Sequence, residues 1–271
     1  MVDNGVSSPD TMKYAGFQWG RRSRDLAVTL VLWVYFTAGF VVFFAPFYGL
    51  ACLFSKNRAV AFQKLNFWFY RGFFGLCRIV IPRHKWQIQP QVRAIHSSVI
   101  VCNHISYLDS ILLVSLFPRH TTIAKDSLFR IPIFGRFIAL SGYIPSSGRG
   151  PYADLLLSSL ESIPGYLEQG GNVIVFPEGT RSRSGRLGDL QKGAFKIAKH
   201  CKAPIKILKI TNTNRLFVPG KFLFNTCCDN IIGVKLIADL RPDYDGGDFS
   251  TTALIAQVHA LLGGHEGPGN A

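Results

Sequence analysis

The chain is short of charge. Only 17% of its 271 residues are Asp, Glu, Lys or Arg, whereas 48% are hydrophobic, 22 of them Phe. That is apolar for a body surrounded by water and points toward lipid. Acidic residues are scarcer still, 16 against 30 Lys and Arg, which leaves a formal charge of +14. A basic excess attracts nucleic acid, anionic headgroups or an acidic carrier protein. The apolar bias favours the membrane and disfavours nucleic acid, whose binders carry their charge on a water-soluble body. A disulfide framework is also missing. Of six cysteines, Cys227 and Cys228 are adjacent, a poor geometry for a mutual bridge, and no C-x-x-C or zinc-finger spacing occurs. A reducing compartment with cysteines as small buried hydrophobes fits, and an acylated anchor at Cys227-Cys228 is the alternative. There is no G-x-S-x-G elbow, Walker loop, G-x-G-x-x-G or H-E-x-x-H, no internal repeat and no low-complexity linker.

What the chain does have is a long uncharged run, residues 26–54, LAVTLVLWVYFTAGFVVFFAPFYGLACLF. As one straight helix it would rise about 43 Å, more than the roughly 30 Å hydrocarbon core. Gly39, Pro46 and Gly49 interrupt it, and Arg21, Arg22, Arg24, Lys56 and Arg58 flank it. Positive flanks at both ends ask for the cytoplasmic side twice, so a bent or re-entrant segment is expected. The run is too long for a signal-peptide core, and no small-x-small cleavage site follows it. Next comes LNFWFYRGFFGLCRIVIPR (65–83), in which Arg71 and Arg78 are seven residues apart, about two helical turns. An interfacial helix with snorkelling arginines is one reading, and a buried helix of the following domain is the other.

From Trp86 onward short strands alternate with helices. Val99–Cys102, residues 170–176, 205–210 and 231–240 read as strands. Asp109–Phe117, Leu155–Leu167, residues 189–201 and 251–262 read as helices, with Pro164 expected to end or kink the second. This predicts an α/β fold with a mixed, largely parallel sheet flanked by helices. The expected organisation is an N-terminal membrane-anchoring helical region (1–85), a domain over 86–262 and a disordered tail (263–271).

Two polar clusters stand at predicted strand ends, where ligands gather in α/β folds. The first is Asn103-His104-Ile105-Ser106-Tyr107-Leu108-Asp109. A histidine there suits a general base near neutrality, and Asp109 one turn on could fix its tautomer and stabilise the imidazolium. Ser106-x-x-Asp109 equally fits a helix-capping box. An Asn-His pair closing an apolar strand is costly unless something uses it. The second cluster is VFPEGTRSRSGR (175–186). Gly179 allows backbone approach to a ligand, Thr180 offers a hydroxyl, and Arg181, Arg183 and Arg186 suit phosphate oxygens. Glu178 is the odd member, expected to orient Arg181 or accept a substrate hydroxyl hydrogen. The bland reading is a solvated basic loop. With no protein nucleophile in sight, the simplest chemistry has His104 activating a hydroxyl that belongs to the substrate.

At these residues the chain resembles the glycerolipid acyltransferases typified by 1-acylglycerol-3-phosphate O-acyltransferase. Asn103-His104 through Asp109 is similar to the family's N-H-x-x-x-x-D block. Phe176-Pro177-Glu178-Gly179-Thr180-Arg181-Ser182 matches F-P-E-G-T-R-S residue for residue. Residues 125–145, with Lys125, Pro132, Gly135 and Gly142, resemble the middle block, and 190–204 the helix after the second cluster. The similarity spans about residues 86–240.

The resemblance implies a membrane-bound O-acyltransferase with its active site on the cytoplasmic face. His104 would be the general base and Asp109 its partner. Asn103, Ser106, Lys125, Arg149, Glu178, Gly179, Thr180 and Arg181 would bind substrate. Acyl-CoA or acyl-acyl carrier protein would be the co-substrate, with no metal or other cofactor. The acceptor would be a lysophospholipid hydroxyl, 1-acylglycerol-3-phosphate first, or another lysolipid such as lyso-ornithine lipid. Membrane lipid is the expected partner and nucleic acid is not. Arg149 enters because the middle block usually ends in an arginine, whereas here it runs Tyr143-Ile144-Pro145-Ser146-Ser147-Gly148-Arg149. A non-catalytic module gathering anionic lipid explains charge and anchor but leaves the His-Asp pair idle. A lipid hydrolase would release free fatty acid instead.

Overall fold

A computed structural model describes residues 9–147, 150–182 and 187–264, with side chains of the first helix from residue 20 onward. Arg149, Arg183, Arg186 and most of the expected tail lie outside the described residues. The chain opens with α1 (Pro9–Val34), a π-helical stretch (Tyr35–Phe44) and α2 (Ala45–Phe54), then α3 (Arg58–Val80). β1 (His84–Ile88), α4 (Pro90–Arg93), β2 (Ser98–Cys102), α5 (Leu108–Val114) and β3 (His120–Ala124) follow. Next are α6 (Asp126–Phe129), α7 (Phe134–Leu140), β4 (Ile144–Pro145), α8 (Ala153–Glu168) and β5 (Asn172–Val175). α9 (Gly193–His200), β6 (Ile205–Thr211), α10 (Thr213–Leu216), β7 (Asn230–Leu240) and α11 (Thr251–Gly263) complete the fold.

The strands make one seven-stranded sheet in the order β1-β7-β6-β2-β5-β3-β4. Every pair is parallel except β6 with β7. The mixed, largely parallel α/β architecture read from the alternating pattern is therefore the observed one. β2 and β5 are buried at every position, as a central strand covered by helices on both faces must be. One face carries α1, α3 and α5, through Leu32, Phe74, Cys77, Leu112 and Leu113 against Ile100, Ile174 and Leu208. The other carries α8, α9 and α11, through Ile163, Phe195 and Val258 against Val99, Val173 and Ile207. β6 accommodates two lysines because each reaches a partner: Lys206 pairs with Asp239, and Lys209 Nζ donates to Leu262 O at 2.7 Å.

The N-terminal segment passes the expected interruptions without a break in the helix. Helix runs unbroken from Pro9 to Phe54, and Gly39, Pro46 and Gly49 do not end it. The π-helical stretch absorbs the disturbance: Ala45 N–H donates to Phe40 O, five residues back, and Pro46 follows in the first turn of α2, where its missing N–H costs least. Asn57 caps α3 by accepting from Val60 N–H at 3.1 Å, and α3 returns alongside. Tyr48 meets Phe62, Phe40 meets Phe69, and Tyr35 meets Phe73, an order that makes the pair an antiparallel hairpin. Gly20–Phe54 is the one helix among the described residues long and apolar enough to cross a membrane, and only 17% of its most apolar window is buried.

The composition change near residue 85 does not coincide with a break in packing. Phe62, Phe69, Phe73, Phe74 and Cys77 turn inward at helical spacing, so α3 takes the second of its two readings, a helix packed on the α/β body. Arg71 and Arg78 face outward. α1 is tied to the body as well: Thr226 donates to Asp25 Oδ1 through N–H and Oγ1 at 2.8 and 2.6 Å, and Phe224 N–H donates to Thr29 Oγ1 at 3.0 Å. α8 likewise passes through Pro164, which sits about one turn from the helix end and removes a single donor.

His120, at the start of β3, is fully buried. Its Nδ1–H donates to Phe117 O at 2.7 Å and its Nε2 faces the Tyr143 hydroxyl at 3.4 Å. Burial pushes its pKa from 6.5 down to about 4, against a smaller opposing effect of the Phe117 bond. An unfolded chain takes up a proton below pH 6.5 that the folded chain refuses until about pH 4. This contribution to stability is whole above pH 6.5 and is lost as pH falls, by about 3 kcal/mol at the lower limit. Melting temperatures at pH 7 and pH 5 should fall less in His120→Asn than in the natural chain, since Asn keeps a donor but does not titrate.

Candidate active site

Two loops leave the C-terminal ends of β2 and β5. The strands are parallel neighbours in the register Ser98↔Asn172 to Val101↔Val175, so residues 103–109 and 176–182 emerge side by side. The loops are joined directly. His104 N–H donates to Glu178 Oε1 at 3.1 Å, Ser182 N–H donates to His104 O at 2.8 Å, and the His104 ring stacks on Phe176 at 4.3 Å. The imidazole and the guanidinium loop thus converge on one sheet edge, although more than seventy residues separate them in the chain.

The turn is built around Asp109, whose side chain has no exposure. Asp109 Oδ2 accepts from His104 Nδ1–H at 3.0 Å, Ile105 N–H at 2.6 Å and Ser106 N–H at 2.7 Å. Oδ1 accepts from Thr213 Oγ1 at 2.5 Å. The bond from Ser106 N–H is one half of a capping box, but the other half is not made, since Asp109 N–H donates to Ser106 O at 3.2 Å and not to the hydroxyl; the imidazole partner is the reading the geometry carries. A carboxylate only accepts, so Nδ1 carries the hydrogen and Nε2 is the nitrogen able to take a proton. The His104 side chain keeps 15% of its surface open to solvent.

Asn103 and Ser106, both expected to bind substrate, spend their side-chain hydrogen bonds within the protein. Both are buried, and buried polar groups must find partners inside. Asn103 Nδ2 donates to Ile210 O at 2.9 Å and its Oδ1 accepts from Ile210 N–H at 2.8 Å, so the side chain prolongs the β2–β6 ladder. Ser106 Oγ donates to Phe217 O at 3.2 Å and accepts from Leu108 N–H at 3.3 Å. They hold the turn. The Glu178 carboxylate takes His104 N–H and, at 3.1 Å, Gly188 N–H, so it staples the two loops.

Arg181 lies over the Tyr107 ring, 3.2 Å from its centroid, a cation–π contact that links the loops a further time. Gly179 adopts φ +65, a conformation that L side chains rarely take, and Thr180 beside it is exposed. Lys125 is exposed at the C-terminal end of β3, the strand next to β5, and so stands on the same edge. Asp126 beside it accepts from Ser146 Oγ, Ser147 N–H and Ser147 Oγ, which fastens the loop after β4.

Sequence reasoning missed Thr213. It lies 104 positions beyond Asp109, after β6, and reaches the carboxylate because Asn212 turns the chain in a left-handed conformation at φ 63. A Thr after an apolar strand gives no signal on its own. Tyr107 and Phe176 were also unassigned, although both lie within the motifs. Among the described residues no group of three or more His, Cys, Asp or Glu side chains is arranged to hold a metal ion.

Comparison with known proteins gives the architecture its context. The family model described as Acyltransferase matches residues 83–208. A 1-acyl-sn-glycerol-3-phosphate acyltransferase of Saccharomyces cerevisiae is 38% identical over 135 residues, 48% of this chain and 44% of that protein. A chloroplastic 1-acyl-sn-glycerol-3-phosphate acyltransferase of Brassica napus is 36% identical over 124 residues, 45% of this chain and 35% of that protein. The chain thus spans less than half the length of these two curated relatives. The crystal structure of the 1-acyl-sn-glycerophosphate acyltransferase from Thermotoga maritima shares the fold, with a TM-score of 0.65 over 89% of this chain and 95% of that one at 22% identity. Over residues 83–208, and in the motifs at its sheet edge, the chain is thus similar to acyltransferases named for 1-acyl-sn-glycerol-3-phosphate.

Proposed function

We propose that the chain transfers a fatty acyl group from a thioester, acyl-CoA or acyl-acyl carrier protein, to the free hydroxyl of 1-acylglycerol-3-phosphate, giving phosphatidic acid. The observation that carries this reading is the His104–Asp109 pair, stapled through Glu178 and Ser182 to the loop that bears Arg181. A base with its partner nitrogen fixed, beside a cationic arm, fits an acceptor with a hydroxyl at one end and a phosphate close by. His104 Nε2 removes the hydroxyl proton as the oxygen attacks the thioester carbonyl. The C–S bond then breaks, the thiolate leaves, and the imidazolium proton passes to sulfur or water. Asp109 stabilises the imidazolium formed in between. Thiolate is a good leaving group, so one base suffices. Arg181, with Thr180 and Lys125, receives the phosphate. The relatives' names favour 1-acylglycerol-3-phosphate over another lysolipid. The exposed apolar face of Gly20–Phe54 supports a membrane-bound enzyme whose positive flanks keep its site on the cytoplasmic side.

Three variants test the assignment in vesicles that contain the acceptor and a labelled acyl donor. His104→Ala should lower turnover about 10³-fold while the melting temperature holds, and retained turnover would take the imidazole out of the mechanism. Arg181→Ala should raise the acceptor KM about tenfold and leave the donor KM unchanged; equal effects on both would contradict the phosphate role. Thr213→Val leaves Asp109 Oδ1 short of a donor. It should lower kcat with little change in either KM, and Thr213→Ser should restore it. A Ser variant as impaired as the Val variant would show that the hydroxyl does not position the pair.

A further inference from the structure

Between α6 and α7 the chain reads Arg130-Ile131-Pro132-Ile133-Phe134-Gly135-Arg136. All four apolar residues, Ile131 to Phe134, are exposed, and Ile133 is 85% exposed. Phe134 N–H donates to Pro132 O at 2.7 Å across Ile133, whose φ of 65 and ψ of −57 define a γ-turn of the rare, strained type. A β-branched side chain at positive φ is a true conformational outlier. Its surroundings enforce it. Gly135 N–H donates to Ile131 O at 2.7 Å, and a Cβ at Gly135 would collide with the Phe129 carbonyl, so the turn is closed tightly from behind. The fold therefore holds an aliphatic side chain outward in a backbone that a glycine would adopt more easily.

Its place in the molecule indicates what the arrangement serves. On one side, Phe137 of α7 packs on Phe40, Tyr48 and Phe62, so the turn adjoins the apolar hairpin. On the other, α6 begins one residue past Lys125, at the sheet edge that carries His104 and Arg181. Exposed Arg130 and Arg136 flank the apolar tip, and no carboxylate lies between residues 127 and 136. An apolar tip between two cations matches a bilayer with anionic headgroups, in which the tip enters the acyl region and the guanidiniums stay with the phosphates.

We infer that the Ile131–Phe134 turn is a second lipid-inserting element, which docks the mouth of the candidate site onto an anionic leaflet. It rests on the membrane association proposed above but not on the identity of the acyl acceptor. The full chain is tested with an environment-sensitive fluorescent amino acid at position 133, and in a separate preparation at Gln257 on the exposed side of α11, with vesicles of phosphatidylcholine and phosphatidylglycerol. Cosedimentation reports binding, and lipids brominated on the acyl chain report depth.

The expected result is a blue shift and strong quenching at 133, none at 257, and about tenfold weaker partitioning for Ile133→Gly, which fits the turn without strain. Cosedimentation with a water-like probe at 133 would overturn the insertion while leaving the hairpin as anchor. Failure to cosediment would overturn both. A probe at 133 that responds to an acidic carrier protein and not to vesicles would make the turn a protein-docking site and refute the inference.

Discussion

A carboxylate withdrawn from water must be given donors in its place, and Asp109, with no exposed surface, is given four from two separate parts of the chain. Two are backbone N–H groups that shape the turn after β2. One is the His104 imidazole, and the fourth is Thr213, delivered from beyond β6. Removing any of them would leave a buried charge short of compensation, which is among the more costly defects a fold can carry. The same four bonds set the ring plane of His104, choose its tautomer and decide which nitrogen faces the opening. Helix start, loop conformation and the tautomer of the imidazole are therefore one constraint seen at three scales.

That constraint explains why the site lies where it does. Parallel pairing of β2 with β5 puts both loops at one edge, and Glu178 then spends its charge on two backbone N–H groups to lock them together. A carboxylate so engaged is fixed in place, while the Arg181 guanidinium rests on the Tyr107 ring. The stack of His104 on Phe176 and of Arg181 on Tyr107 gives each functional group an aromatic backing from the other loop or its own partner loop. The polar edge is held rigid by contacts that do not themselves need to meet substrate.

Much of this was legible in the sequence because it was local or periodic. The apolar runs of β2 and β5, the five-residue spacing of His104 and Asp109, and the strand-end position of both clusters all follow from nearest neighbours in the chain. What was not legible depends on direction or on distance. Asn103 and Ser106 carry the right atoms for substrate, but whether they point out or in is decided by Ile210 and Phe217, which are more than a hundred residues away. Thr213 could not be singled out for the same reason. The apolar N-terminal run was expected to be interrupted at Gly39, Pro46 and Gly49, because a π-helical stretch that lets helix continue past such residues has no strong sequence signature. α3 looked like a membrane-surface helix from composition alone, since an aromatic face suits lipid and protein core equally well.

The direct test of the acyl-transfer account is the fate of the acyl group. With vesicles containing 1-acylglycerol-3-phosphate and a radiolabelled acyl-CoA, or acyl carrier protein in its place, label and free thiol should be followed together. The account predicts one thiol released for each labelled phosphatidic acid formed, and no thiol release when the acceptor is omitted. Label recovered as free fatty acid, with thiol released whether or not the acceptor is present, would contradict it.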